Sequence, residues 1–539
     1  MRALLLAAAA LAVAAAPAAA QLVDAPAGQV RGTQSGTVRA FKGIPFAQAP
    51  VGPLRWHPPV ALPRWQGTRA ATDFGAACIQ PQGGAPNIYN GVTLPLSEDC
   101  LSLNIWSPAK ARGAPVLVWI HGGSLLTGSS REALYDGQGF AERGLIVVSI
   151  NYRLGVLGWL AHPELGKENE AGLSGNYGLL DQIAALRWVQ RNIAAFGGDP
   201  RNVTIAGESA GGLSALYLMS SPQARGLFGK AIVQSGYMIS MPELRRPAHG
   251  LPAWETGGQL LGQALKASSL ADLRRMDAAT LTTAATRNGF FPFGVVDGAA
   301  LPRQMVDAFD NGQQARVPVL AGFNQGEIRS LRMLAPKVPA SAADYATQIR
   351  ERYGDLAADF LRLYPAGDVA ESILATTRDS LYGWTAERIA RKQTAIGQRA
   401  YLYLFDHAYP AADAAGLHAF HASELPYVWG TLDRTPPRWP AVPDTAAERR
   451  LSNAMLDYWS SFARTGRPVA KAAPAWPAYG SAQTYVRFAE TPEVRRDPLP
   501  GMFEFNERVV CRRRAAGKDG WNWNVGLLSP KLPPAVTGC

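Results

Sequence analysis

The feature that most constrains this fold is an alternation of short, unbroken apolar runs with longer amphipathic stretches. The apolar runs lie at residues 116–120, 145–150, 202–206, 317–322 and 400–405. The first two runs are unbroken and rich in β-branched residues, which predicts strands buried on both faces, as in a parallel sheet. Between the second and third runs, apolar residues recur every three or four positions from Leu179 to Ile193. This spacing predicts a helix that stops at Gly197-Gly198.

Strands that alternate with helices predict an α/β fold, with a large, mostly parallel central sheet flanked by helices. Residues 30–41 differ, because they are glycine-rich and alternate only weakly. They predict an antiparallel ribbon ahead of the main sheet. A length of 539 residues allows several domains. No repeat, linker or composition break follows residue 20, so we expect one domain over residues 21–539, with long insertions.

The N-terminus has the pattern of a signal peptide. Arg2 supplies a positive charge, residues 3–16 are apolar, and Ala18-Ala19-Ala20 forms a cleavage site before Gln21. No later run approaches the roughly 20 apolar residues that a membrane span needs. We therefore expect export to the periplasm or the medium. The excess of Arg over Lys and the alanine-rich leader are typical of a high-GC bacterium.

The net charge of +11 sets limits on the partners. Removal of the leader with Arg2 would leave +10. The longest basic run is Arg512-Arg513-Arg514, and no basic helix carries interleaved aromatic residues. Nucleic acid is therefore not expected as a partner. A charge of this size is sufficient to steer anionic small molecules.

Four cysteines, Cys78, Cys100, Cys511 and Cys539, allow three pairings. An exported chain favours disulfides over metal thiolates, and no spacing is CxxC. Cys78 and Cys100 are near in sequence and could close a loop. Cys511 and Cys539 could fasten the C-terminal tail.

The strongest chemical signal is the pentapeptide Gly207-Glu208-Ser209-Ala210-Gly211. It has the form G-x-S-x-G and lies between a predicted strand and a predicted helix. In this context the glycines permit a strained turn that lifts the serine hydroxyl clear of the sheet. Without that context the motif would indicate only a glycine-rich turn.

A serine nucleophile needs a base and an acid, which in this architecture follow it along the chain in the order Ser, acid, His. Four histidines follow Ser209: His249, His407, His418 and His421. His407 lies at a strand end and is expected to be structural. His418 and His421 both lie in the polar loop after the 400–405 strand, and spacing does not choose between them.

The candidate acid is Glu327, which comes shortly after the 317–322 strand in Asn324-Gln325-Gly326-Glu327. A carboxylate here would hold the imidazole tautomer and stabilise the imidazolium. Taken alone, Glu327 would be an ordinary loop carboxylate. His121-Gly122-Gly123-Ser124 follows the 116–120 strand, where small residues let backbone N–H groups approach an oxyanion, together with the N–H of Ala210.

Several longer segments resemble the type-B carboxylesterase family, which includes cholinesterases and bacterial p-nitrobenzyl esterases. Residues 196–211, FGGDPRNVTIAGESAG, resemble the family's serine signature, and residues 98–104, EDCLSLN, resemble its second signature. Further matching blocks lie at residues 41–47, 151–155 and 421–427. The resemblance extends from about residue 22 to 505 and leaves a poorly matched tail at 506–539.

The resemblance implies an α/β-hydrolase fold with Ser209 as nucleophile, Glu327 as acid and His421 as base. It implies oxyanion donors at Gly123, Ser124 and Ala210, although relatives often have a third glycine at the position of Ser124. It implies a Cys78–Cys100 disulfide. Glu208 and Ser235 match polar positions that support the triad in relatives.

The sequence therefore predicts an exported serine carboxylesterase that forms an acyl-enzyme with a small-molecule ester. Aryl or carboxylate-bearing esters are the expected substrates. We expect no cofactor and no metal, because His418 and His421 lack the HExxH helix pattern. The oligomeric state is left open. The alternative is a catalytically silent, cholinesterase-like binding or adhesion module.

Overall fold

The computed structural model describes residues 21–82, 87–89, 94–521 and 525–539, so the predicted signal peptide lies outside the described residues. The strands in these ranges are β1 (Gln21–Ala25), β2 (Gly28–Ser35), β3 (Val38–Pro45), β4 (Thr68–Ala70), β5 (Ala77–Cys78), β6 (Leu96–Ser97), β7 (Ser102–Pro108), β8 (Ala114–Ile120), β9 (Ile146–Ile150), β10 (Gly198–Glu208), β11 (Lys230–Gln234), β12 (Val319–Asn324), β13 (Ala400–Phe405), β14 (Thr484–Phe488) and β15 (Pro492–Arg496).

The α-helices in the same ranges connect and cover these strands. They are α1 (Gln138–Glu142), α2 (Gly155–Trp159), α3 (Pro163–Lys167), α4 (Tyr177–Asn192), α5 (Ala210–Ser220), α6 (Trp254–Ala264), α7 (Leu270–Arg275), α8 (Ala278–Arg287), α9 (Met305–Asp310), α10 (Ala342–Tyr353), α11 (Ala357–Leu363), α12 (Val369–Arg378), α13 (Trp384–Ala395), α14 (Pro410–Ala414), α15 (Leu425–Trp429), α16 (Ala446–Thr465) and α17 (Met502–Ala516).

One large sheet organises the fold, in the strand order β1-β2-β3-β7-β9-β8-β10-β11-β12-β13-β14-β15, with β4 paired to β2. Seven neighbouring strands, in the sheet order β9, β8, β10, β11, β12, β13 and β14, run parallel to one another. The strands at both ends are antiparallel, and β1 to β3 form the ribbon predicted from residues 30–41. The predicted α/β architecture with a mostly parallel sheet is therefore confirmed.

Both faces of the sheet are buried, which explains the unbroken apolar runs. In β8, Val116, Val118 and Ile120 pack on one face, in the same cluster as apolar residues of α4 and α5. The alternate residues Leu117 and Trp119 pack on the other face, in the same cluster as apolar residues of α16. Because successive side chains point to opposite faces, a strand covered on both sides needs apolar residues at every position.

Element ends differ from the predictions by a few residues. The predicted 317–322 strand runs from Val319 to Asn324 instead, and it begins directly after Pro318, which has no N–H for the ladder. The predicted helix ends at Asn192 and continues as a 3₁₀ turn to Phe196, just before Gly197-Gly198. The third predicted strand, 202–206, is longer and spans Gly198–Glu208.

Both disulfides connect the cysteines expected from the sequence. Cys78 is bonded to Cys100, and Cys511 is bonded to Cys539, with no free cysteine among the described residues. The first bond closes a loop near the N-terminal ribbon. The second bond joins α17 to the last residue of the chain.

Candidate active site

Ser209 lies at the carboxyl end of β10, in the sharp turn that leads into α5. Its backbone has φ 57° and ψ −120°, a strained conformation for a residue with a side chain. The flanking glycines are required by close approach. A Cβ atom at Gly207 would lie 2.3 Å from the carbonyl carbon of Gly211, and one at Gly211 would lie 2.0 Å from the oxygen of Ile120. The sequence motif therefore indicates this turn for a steric reason.

His421 and Glu327 are joined by a hydrogen bond between Nδ1 of the imidazole and Oε2 of the carboxylate. The other carboxylate oxygen, Oε1, accepts from the Ser235 hydroxyl at 2.6 Å and from the Asn324 amide at 2.8 Å. Glu327 is fully buried. Ser235 and Asn324 thus fix the orientation of the Glu327 carboxylate from the side opposite the imidazole. The carboxylate predicted as the acid therefore contacts His421.

His418, the alternative base, is in a different environment. Its side chain is 48% exposed, and its Nδ1 contacts a carboxylate oxygen of the half-exposed Asp413. His418 and Ala422 have positive φ angles, so the backbone changes direction on either side of His421. Of the two histidines that spacing could not separate, only His421 contacts Glu327. His407 bonds to the buried Glu448 at 2.8 Å and is structural, as expected.

The second ring nitrogen of His421, Nε2, faces the turn that carries Ser209. It lies 3.1 Å from Oε1 of Glu208, the residue just before Ser209. A Cβ atom at Gly122 would lie within 3.2 Å of both the Glu208 carboxylate and Cβ of Ser209, so these groups share one small space. Among the described residues, Oγ of Ser209 has no hydrogen-bond partner. Catalytic hydrogen bonds are often long or misaligned before substrate binds.

The electrostatics of this space favour a proton on the imidazole. Burial alone would lower the pKa of His421, but the charges of Glu208 and Glu327 outweigh burial and raise it to about 9. Burial raises the pKa of Glu208 well above its usual range, while the positive charge of His421 opposes that shift. The two side chains therefore compete for one proton.

A third buried carboxylate, Glu424, lies behind this pair. Its oxygens accept from the side-chain amides of Gln234 at 2.9 Å and Asn324 at 2.6 Å. Burial raises the pKa of Glu424 to about 6, against the hydrogen bond from Asn324. No role was predicted for Glu424 from the sequence. Its position three residues after His421 was the available signal.

The predicted oxyanion donors lie on two backbone segments. Gly123 and Ser124 follow β8 with φ angles of 100° and 58°, and Ala210 is the first residue of α5. Among the described residues, no acceptor receives a hydrogen bond from these three amides. The φ angle of Ser124 lies in the left-handed region, which a third glycine at this position would adopt without strain.

His121 supports this loop rather than taking part in the chemistry. Its Nδ1 bonds to the carbonyl of Gly122 at 2.9 Å, and its ring stacks on Tyr152 at 4.6 Å. Burial lowers its pKa to about 4, so the ring is neutral at physiological pH. The loop closed by the Cys78–Cys100 disulfide also holds the segment that follows Gly123 and Ser124. The side-chain amide of Gln80 exchanges two hydrogen bonds of 2.9 Å with the backbone of Gly128.

Two tyrosines contact His421. The ring centroid of Tyr382 lies 5.3 Å from that of the imidazole, and the Tyr89 hydroxyl donates to the His421 carbonyl at 2.9 Å. Trp384, two residues after Tyr382 in the chain, lies in the core, where its indole N–H donates to Glu507 at 2.7 Å.

The described residues contain neither a group of three or more His, Cys, Asp or Glu side chains suited to a metal nor a helix long and apolar enough to cross a membrane.

Known proteins that are similar to this chain include several esterases. The family model described as "Carboxylesterase family" matches residues 19–505. The chain is 37% identical over 476 residues to fumonisin B1 esterase from Sphingopyxis macrogoltabida, covering 84% of each chain. It is 35% identical over 466 residues to para-nitrobenzyl esterase from Bacillus subtilis, covering 85% of this chain and 92% of that one. A solved PNB esterase structure superposes with a TM-score of 0.79 at 33% identity, covering 90% of this chain and 99% of the other.

Proposed function

This chain belongs to the carboxylesterase family and is a carboxylic ester hydrolase of the α/β-hydrolase superfamily, and from this premise we propose that Ser209, His421 and Glu327 form its catalytic triad. One observation carries the proposal: the imidazole of His421 is held by Glu327 at Nδ1 and turns Nε2 toward the strained turn of Ser209. A small-molecule ester is the substrate.

In the first half-reaction, Oγ of Ser209 attacks the ester carbonyl carbon while Nε2 of His421 takes the hydroxyl proton. The carbonyl oxygen becomes an oxyanion, for which the amides of Gly123, Ser124 and Ala210 are the proposed donors. Preorganised donors of this kind typically contribute ~10²–10³ each to the rate. The imidazolium then gives its proton to the departing alkoxide, which leaves as the alcohol, and the acyl group stays on Oγ.

In the second half-reaction, water attacks the acyl carbon and His421 takes a proton from the water. Collapse of the second tetrahedral intermediate breaks the bond to Oγ and releases the carboxylic acid, and the proton returns to Ser209. The negative charge of Glu327 at Nδ1 stabilises the imidazolium in both half-reactions. Ser235 and Asn324 hold the other carboxylate oxygen and so keep Glu327 in place. The proposed support roles of Glu208 and Ser235 follow from these contacts.

Serine substitution tests the nucleophile. Ser209→Ala should lower the turnover of 4-nitrophenyl acetate by at least about 10⁴-fold and abolish covalent labelling by a fluorophosphonate. Ser214→Ala is the matched control, since Ser214 is a buried serine of the same helix that bonds to Gln182 at 2.9 Å. Wild-type turnover in Ser209→Ala would refute the proposal. Absence of labelling in the wild-type chain would support the silent binding module instead.

Histidine substitution tests the base. His421→Ala should abolish turnover, because no other described imidazole contacts Glu327. His418→Ala should retain it, because that side chain lies on the surface beside Asp413. An inactive His418→Ala together with an active His421→Ala would reverse the assignment.

We also propose a preference for aryl or carboxylate-bearing esters. The rings of Tyr89 and Tyr382 beside His421 support an aryl group, and the net charge of +10 that remains without the leader supports an anionic one. Monophenyl succinate and phenyl butyrate share a leaving group and differ in one carboxylate, so they isolate the charge. We expect added NaCl to lower kcat/KM for the succinate only. Equal salt dependence of the two esters would refute the anionic preference.

We further propose that the chain is exported after cleavage at Gln21. The sequence of the leader supports this, and so do two disulfides, which persist in oxidising compartments. N-terminal sequencing of the protein recovered from periplasm and medium tests the proposal. Recovery of the chain only in the cytoplasm, with Met1 retained, would refute it.

A further inference from the structure

The C-terminal tail lies outside the family match, yet it is built into the body of the enzyme. Residues 506–539 follow the matched region, and the Cys511–Cys539 disulfide ties the end of the chain to α17. The Arg513 guanidinium is buried and donates to the carbonyl of Gly520 at 3.2 Å. The amide of Gly526 donates to the Tyr353 hydroxyl at 2.7 Å. The described part of the tail is therefore anchored at several points.

Trp521 is a deeply buried residue of the tail. Its side chain is only 1% exposed, and its indole N–H donates to the carbonyl oxygen of Met238 at 2.7 Å. Its ring also lies 5.0 Å from that of His249, edge to face. The contact joins the last twenty residues of the chain to a segment 283 positions earlier in the sequence.

Met238 belongs to a buried segment, residues 235–241, which we call the wall segment. The segment begins at Ser235, just after β11, and the hydroxyl of Ser235 holds Glu327. At Met238 both backbone polar groups have partners outside the segment. Its N–H donates to the Thr385 hydroxyl at 3.0 Å, and its carbonyl accepts from Trp521. These two bonds hold the middle of the wall segment from two directions.

The wall segment leads to the imidazole through two tyrosine rings. Tyr237 packs edge to face on Tyr382 at 6.0 Å, and Tyr382 lies 5.3 Å from the ring of His421. Tyr382 is carried by a π-helical turn, Asp379–Gly383, immediately before Thr385 in the chain. Such turns are rare and recur at functional sites. A shift of Met238 would therefore move the rings that pack against the catalytic base.

From these contacts we infer that Trp521 is a positioning residue for the active site, acting from the tail through Met238, Tyr237 and Tyr382 on the orientation of His421. The inference rests on the proposed function, because it takes His421 as the base. Loss of the indole N–H would leave the Met238 carbonyl buried without its donor, and the wall segment would shift to satisfy it. The consequence is a misoriented base in a folded enzyme.

Trp521→Phe tests this inference, because phenylalanine keeps an aromatic ring and has no N–H to donate. The matched control is Trp56→Phe. Trp56 is 2% exposed, and its N–H donates to the Val156 carbonyl at 2.9 Å in a core cluster that contains no residue of the proposed site. We expect both variants to lower Tm. Only Trp521→Phe should lower kcat for 4-nitrophenyl acetate about tenfold, which corresponds to about 1.4 kcal/mol in the barrier.

The pH profile separates positioning from general destabilisation. A base that has moved away from Glu327 and Glu208 loses the charges that raise its pKa, so the rising limb of kcat/KM should move to lower pH in Trp521→Phe and stay in place in Trp56→Phe. If Trp521→Phe does not fold, Thr385→Val removes the other bond to Met238 and should give the same profile. Wild-type kcat and pH dependence in Trp521→Phe, or in Thr385→Val, would overturn the inference.

The Ser209→Ala variant distinguishes a failure of the proposed function from a failure of the role inferred for Trp521. If Ser209→Ala retains turnover, the proposed function fails. If Ser209→Ala is inactive while Trp521→Phe behaves as Trp56→Phe does, the proposed function stands and only the role of the tail is refuted.

Discussion

Replacing Glu208 with glutamine removes the charge beside the outer nitrogen of His421 at nearly constant side-chain size. Oε1 of Glu208 lies 3.1 Å from Nε2, and both side chains are less than 10% exposed. The carboxylate stabilises the imidazolium and helps to raise the pKa of His421 to about 9. Glu208→Gln therefore lowers the pKa of His421. Because the neutral imidazole is the proposed base, activity should appear above this pKa, and the rising limb should move to lower pH.

The distance sets the size of the effect. Opposite unit charges 3.1 Å apart attract by about 1.3 kcal/mol at the dielectric of water and by about 5 kcal/mol at an effective dielectric of 20. We use the smaller value, because burial raises the pKa of Glu208 and so reduces its average charge. At about 1.4 kcal/mol per pKa unit, the limb should move by about one pH unit.

The assay is the pH dependence of kcat/KM for 4-nitrophenyl acetate, followed by acid release and corrected for spontaneous hydrolysis. Glu424→Gln is the control, because that carboxylate contributes least among the charges that raise the pKa of His421 and bonds to Gln234 and Asn324 instead. Its limb should move less, in the same direction. An unchanged limb in Glu208→Gln, or one at higher pH, would refute this electrostatic account.

Three further outcomes follow from the contacts around the site. Ser124→Gly keeps the amide and relieves the positive φ, so kcat should stay within about twofold of wild type, against the ~10²–10³ cost of a lost donor; a large fall would assign the hydroxyl a role. Ser235→Ala removes a 2.6 Å donor from Glu327 and should lower kcat about tenfold in steady-state assays, while an unchanged kcat would make that bond dispensable. The double change Cys78→Ser with Cys100→Ser should cost roughly 2–4 kcal/mol in denaturant unfolding, and unaltered stability would contradict the role of the loop.

The sheet and the turn that carries Ser209 could be predicted because both are dictated by local sequence. A strand buried on both faces must be apolar at successive positions, as the run around Val118 is. The turn at Ser209 needs glycines where the backbone leaves no room for a Cβ. Candidate residues at the carboxyl ends of parallel strands then converge for topological reasons. Ser209 and Glu327 are positioned in this way.

The choice between His418 and His421 could not be made from spacing, because it depends on how an irregular loop turns. Positive φ angles at His418 and Ala422 send one imidazole to solvent and the other to Glu327. Only the family resemblance selected His421. Loop backbone of this kind has no period in the sequence from which the orientation of a side chain follows.

Long-range partners were missed for a related reason. Tyr382 reaches His421 because a π-helical turn changes the phase of the helix that carries it, and a tryptophan such as Trp521 has the sequence signal of any core residue. Gln234 and Asn324 meet at Glu424 only after two neighbouring strands have paired. Hydrogen bonds between residues 100 or more positions apart become visible only with the fold.

The two nitrogens of His421 are held in unequal ways, and this difference bears on how the base works. Nδ1 is hydrogen-bonded to a carboxylate that Ser235 and Asn324 fix from behind. Nε2 lies 3.1 Å from Glu208, yet that oxygen has no aligned hydrogen bond among the described residues. A contact that depends on charge without directional alignment resists rotation weakly. We expect that a small rotation of the ring about the Nδ1 hydrogen bond brings Nε2 from Glu208 toward Ser209 and leaves Glu208 close to the departing proton.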